Sequence, residues 1–112
     1  MAIYISGPMT GYPNFNFPAF QSATNRLRVI GLDVVSPHEF GVDDSRSWGD
    51  YLRADLIALL ERCDSVATLH GWEWSHGACL EVHVAKALGM RVESVDWWAI
   101  GGDDWVPSGD AW

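Results

Sequence analysis

Three ionisable side chains, Glu81, Asp55 and Tyr4, stand where an α/β chain can bring them to one end of a sheet. Two carboxyl groups in separate environments are the usual apparatus for glycosyl transfer, one as nucleophile and the other as acid. Glu81 lies among Cys79, Leu80, Val82 and Val84, and a carboxylate in such company is costly to bury without a partner or a purpose. Plainer readings stand beside these: Tyr4 as core, and Asp55 as a solvated acid beside Arg53.

A second group of residues could hold a ligand. Gly7-Pro8-Met9-Thr10-Gly11 follows the first predicted strand, where backbone N–H groups can approach a phosphate closely. It is neither a GxGxxG nor a Walker loop, and Pro8 removes one donor, so a simple turn is the competing reading. Ser6 to Gly11, with Ser75 and Gly77 at the start of a later helix, form the predicted anion cradle, because a helix N-terminus carries partial positive charge. Trp72 and Trp74 flank Glu73; such rings can stack on a nucleobase or close a subunit interface. His70, His76 and His83 carry no zinc-type pattern, and His76 and His83 are two helical turns apart. No metal and no cofactor is expected.

The elements that must position these groups are legible from periodicity. Residues 2–5 read as a strand, and Asn16 reads as the cap of a helix with Pro18 in its first turn. Phe17, Phe20, Ala23, Leu27 and Ile30 recur at helical spacing until Gly31. A second strand is predicted over 32–35. Ser47 and Asp50 form a capping-box pattern that opens a helix from Trp48 to about Arg62, with Leu52, Leu56, Leu59 and Leu60 as its apolar set. A buried strand follows over 65–69, then a helix capped by Ser75 and stopped at Gly89, and a fourth strand over 91–95.

This alternation predicts a Rossmann-like, flavodoxin-like α/β domain: a parallel sheet of about four or five strands flanked by helices. In such sheets ligands sit at the carboxyl ends of the strands. The domain is expected over 1–95, and 96–112 reads as an aperiodic tail rich in Trp, Gly and Asp. Four of the seven tryptophans (Trp97, Trp98, Trp105 and Trp112) fall there, and exposed rings of that kind predict a homodimer or larger assembly.

The net charge of −8 over 112 residues argues against a nucleic-acid polymer as partner, since phosphate backbones require clustered Lys and Arg. No stretch approaches the roughly 20 apolar residues of a membrane span. Cys63 and Cys79 show no metal spacing and read as reduced buried thiols, so a cytoplasmic protein is expected.

At these residues the chain resembles the nucleoside 2-deoxyribosyltransferase-like superfamily, and in particular a small phage and prophage branch opening with a YISGPMTG-type motif. Here that motif is Tyr4-Ile5-Ser6-Gly7-Pro8-Met9-Thr10-Gly11, continuing into Asn14, Phe15 and Asn16; Arg53-Ala54-Asp55-Leu56, Cys63-Asp64 and the Gly71-Trp72-Glu73 to Glu81 block also agree. The resemblance implies cleavage or transfer at the N-glycosidic bond of a nucleoside or nucleotide. Gly77 to Glu81 matches the superfamily's Gly-x-x-x-Glu, which makes Glu81 the nucleophile, Asp55 an assistant at the base or sugar, and Tyr4 the holder of the Glu81 carboxylate. It also implies substrate contacts from Ser6, Gly7, Pro8, Met9, Gly11, Asn16, Gly71, Trp72, Ser75 and Gly77. The departure is Ser75, which stands where the transferases carry a second Asp. A hydroxyl cannot supply a carboxylic proton, so a protein that binds or sequesters a nucleotide or sugar-nucleotide without turnover is the alternative.

Overall fold

The computed structural model describes residues 1–102. Its elements are β1 (Ala2–Ser6), α1 (Phe17–Val29), β2 (Val34–Val35), α2 (Trp48–Arg62), β3 (Cys63–Thr68), α3 (His76–Ala87), β4 (Arg91–Ser94) and α4 (Val95–Ala99). The four strands pair in parallel in the order β2-β1-β3-β4. This is the expected Rossmann-like, flavodoxin-like arrangement, and its strand order reverses between β1 and β3.

Alternation along β1 divides the core. Ile3 and Ile5 point to one face, where Phe20, Ala23 and Leu27 of α1 and Val95 of α4 cover them. Tyr4 points to the other face, against Ala58 and Leu59 of α2 and Ala85 of α3. Side chains two apart share a face of a strand, so Ser6 follows Tyr4 toward α2 and α3. Both faces are covered, and all five residues of β1 are buried.

Local signals placed most elements and missed some details. The Ser47 and Asp50 capping box forms: Asp50 N–H donates to Ser47 Oγ at 3.1 Å and Ser47 N–H to Asp50 Oδ2 at 2.9 Å. Leu59 is fully buried while Leu60 is exposed; consecutive helical positions diverge by about 100°, so the two cannot face the sheet together. Asn16 occupies the N-cap position of α1, but its side chain makes no capping bond. Its Nδ2 donates instead to the Pro8 carbonyl at 2.9 Å. Ile30 lies past the end of α1 and is exposed. Cys63 is buried and Cys79 only partly so, both as free thiols.

The tail read as aperiodic over 96–112 begins within a helix. Ser94 caps α4 by accepting from Trp97 N–H at 3.1 Å, so Val95 opens a helix instead of closing a strand. The Trp98 indole N–H reaches back to the Val66 carbonyl at 2.9 Å, and Trp97 meets Trp98 edge-on with centroids 5.0 Å apart. Of the four tail tryptophans, which could cover an edge of the domain or a neighbouring subunit, Trp98 thus bonds to its own β3 and Trp97 packs on Trp98; Trp105 and Trp112 lie outside the described residues. Among the described residues no helix is long and apolar enough to cross a membrane.

Candidate active site

Glu81 reaches its position through the start of α3. Ser75 Oγ accepts from Ala78 N–H at 3.2 Å, which sets the register of the helix and places Glu81 in its second turn. There the side chain meets the end of β1 and is only 5% exposed. The Tyr4 hydroxyl donates to Oε2 at 2.7 Å, and the Ser6 hydroxyl donates to Oε1 at 2.7 Å. Each carboxylate oxygen thus has one neutral donor.

Burial pushes the Glu81 carboxyl up to about 7, with the Asp55 charge adding to the rise; the Ser6 and Tyr4 hydrogen bonds pull the other way. Desolvation outweighs two hydrogen bonds here because neither donor carries a charge. Burial, reinforced by the charges of Glu81 and Asp55, also holds the Tyr4 phenol well above its ordinary value. Tyr4 is therefore a donor that keeps its proton. Asp55, on α2, is likewise pushed up to about 7 by burial, opposed by the charge of Arg46.

Glu81 and Asp55 line one cleft of about 700 Å3 at the carboxyl ends of β1 and β3. Its rim is aromatic. Tyr12 and Phe15 come from the segment after β1 and Phe17 from the start of α1, Phe40 from the segment before α2, Trp48 and Tyr51 from the first turn of α2, and Trp74 from the turn before α3. Its charge is acidic, with Asp43 and Asp44 added to the two inner carboxyls and Arg46 as the basic side chain of the lining. Arg46 Nε is 4.0 Å from Asp43 Oδ2, and its guanidinium lies 5.8 Å from the centre of the Tyr51 ring.

Of the residues expected to touch a ligand, Gly7, Pro8, Met9, Ser75 and Gly77 line the cleft. Ser6 does not: it is fully buried and its hydroxyl is committed to Glu81. Gly11, Asn16, Gly71 and Trp72 also lie outside the lining. Gly71 is favoured by its backbone, at φ +86°, and the Tyr12 hydroxyl lies 3.2 Å from where a Cβ would stand. Gly7 is required by contact, since a Cβ there would meet Leu69 at 2.7 Å.

Sequence reasoning missed Trp48, whose ring stacks on His76 with centroids 5.2 Å apart and planes 21° from parallel. It joins the first residue of α2 to the first of α3, and a six-membered-ring carbon lies 3.7 Å from where a Gly77 Cβ would be. Ser6 as a clamp on Glu81 was also missed. The signal was available, because Tyr4 and Ser6 are two apart on one strand and so share a face.

Residues 1–94 match a family model described as Domain of unknown function (DUF4406). The chain belongs to this family. Every residue that lines the cleft falls inside the DUF4406 segment, whereas Trp98, which bonds to β3, lies beyond it. No curated protein and no solved structure matches the chain.

Proposed function

We propose that the chain cleaves the N-glycosidic bond of a nucleoside, by hydrolysis or by transfer to another base, with Glu81 as nucleophile. The observation that carries this reading is the pair of carboxyls facing one aromatic-rimmed cleft, both tuned to about 7. Burial raises both carboxyls toward neutral pH, so one can act as acid while the other attacks, which is what double displacement at an anomeric carbon uses.

The Glu81 carboxylate, held by Tyr4 and Ser6, attacks the anomeric carbon. As the new C–O bond forms, the C–N bond breaks and its electron pair passes to the base. Asp55 supplies the proton that the base nitrogen takes up. Water or an incoming base then attacks the same carbon, releases Glu81, and returns a proton to Asp55. Asp55 in this role answers the departure at Ser75, whose hydroxyl is occupied as the cap of α3.

The lining favours a nucleoside over a nucleotide. A phosphate dianion brought among Asp43, Asp44, Asp55 and Glu81 would face like charge, with Arg46 partly neutralised by Asp43. Base release from a panel of nucleosides and nucleoside monophosphates, followed by chromatography, tests the proposal. Wild-type release that is lost in Glu81→Gln supports it. Clear binding without release would favour the second reading, a sequestering protein, which the Ser75 departure also supports.

A further inference from the structure

We infer that Phe15 is the ring on which the leaving base stacks; this rests on the nucleosidase reading and specifies its base subsite. Asn14, Phe15 and Asn16 take φ values of +52°, +53° and +61°, a full turn of left-handed backbone containing no glycine. Asparagine visits this region with some ease, but for phenylalanine it is a strained outlier. Such strain persists only where surrounding structure imposes it, and it gathers at ligand sites.

The bracing is explicit. Phe15 N–H donates to the Tyr12 carbonyl at 3.0 Å, Tyr12 N–H to the Met9 carbonyl at 3.1 Å, and Asn16 Nδ2 to the Pro8 carbonyl at 2.9 Å. The turn is thus tied to the Gly7–Met9 segment, which lines the same cleft as Glu81.

The strain gains no burial. Phe15 is 52% exposed, and its ring contact is the neighbouring Phe17, with centroids 5.9 Å apart. An apolar ring held in a costly conformation and left in water adds nothing to stability, so its use lies in the cleft it lines. Its chemistry suits a planar π system and not a sugar, which needs hydrogen-bond partners. The carboxyls that act on the anomeric carbon and the base nitrogen are half-buried or buried, while Phe15 stands at the exposed rim. The base projects outward from that carbon, toward the ring.

The inference gives opposite signs for stability and binding. Phe15→Gly relaxes the left-handed turn, so the unliganded melting temperature should hold or rise. The same substitution should weaken binding of free adenine and deoxyadenosine about tenfold or more, the scale of one lost aromatic–base stack. Phe15→Tyr, which keeps the ring, should bind like wild type. Calorimetric titration and thermal unfolding of all three proteins measure both quantities. Equal affinity in wild type and Phe15→Gly would overturn the stacking role and leave the nucleosidase reading standing. A Phe15→Tyr variant that binds as poorly as Phe15→Gly would also overturn it, and a lower mass of Phe15→Gly by light scattering, with unchanged affinity, would assign the ring to self-association. A wild type that binds no base and no nucleoside would overturn both the inference and the reading.

Discussion

The Tyr4 hydroxyl donates to Oε2 of Glu81 at 2.7 Å, tying the middle of β1 to the second turn of α3. The bond favours the ionised carboxylate, and its effect therefore depends on pH. Tyr4→Phe leaves one buried oxygen without its donor. A loss of about 1–3 kcal/mol is expected, larger at pH 8, where Glu81 is ionised, than at pH 5, where it is protonated. Thermal unfolding at the two pH values checks this; an equal loss at both would mean the hydroxyl acts by packing alone.

Linkage makes a second prediction. Glu81 rises from 4.5 to about 7 on folding, and Asp55 from 3.8 to about 7. Between the unfolded and folded values the native state holds protons that the unfolded chain has lost, so stability falls as pH increases through that window. It levels off above the folded values. Acids held low by a partner, such as Glu39 beside Arg28, titrate below this range; His38, held below its ordinary value by burial, works in the opposite sense, and comparison with a Glu81 variant separates the two. Glu81→Gln removes one of the two contributions: the variant should be more stable than wild type at pH 8, and the difference should shrink toward pH 5. Parallel stability curves for the two proteins would contradict the desolvated carboxylate.

Gly7 is a packing prediction. A methyl group there would sit 2.7 Å from Leu69 Cβ and Cδ1. Leu69 is itself buried and its N–H donates to the Ser6 carbonyl at 2.9 Å, so the strands have little room to part. Gly7→Ala should cost about 1–3 kcal/mol as overpacking, read as a lower denaturant midpoint with an unchanged slope.

Ser47 anchors the end of α2 that carries Trp48. Ser47→Ala should cost about 1 kcal/mol through the lost cap, and it should also loosen the Trp48 ring from His76. A fall in melting temperature accompanied by a shift in tryptophan emission checks both parts.

How much of this was legible in the residues follows from how local each signal is. The strand–helix alternation and the Ser47 and Ser75 caps rest on periods and short spacings, and they were readable; the Tyr4 bond to Glu81 spans 77 positions and was expected only from the family resemblance. Ser6 was grouped with the ligand-cradling loop that follows it, when the two-residue period already placed its side chain on the same face as Tyr4. Asn16 was misread because a cap signal looks the same whether the side chain turns to the helix or, as here, to Pro8. The Trp48–His76 stack joins residues 28 positions apart in two helices, and no local pattern carries such a contact. The inward turn of Trp98 likewise depends on β3 lying beneath it.

The central claim is that Glu81 bonds covalently to the sugar. The direct measurement is peptide mass analysis of protein mixed with a 2-deoxyribonucleoside and quenched in acid. The account predicts one added deoxyribosyl group on the peptide carrying Glu81 in wild type, together with released base, and neither in Glu81→Gln. Base release at the wild-type rate from Glu81→Gln, or a sugar found on another residue, would contradict it.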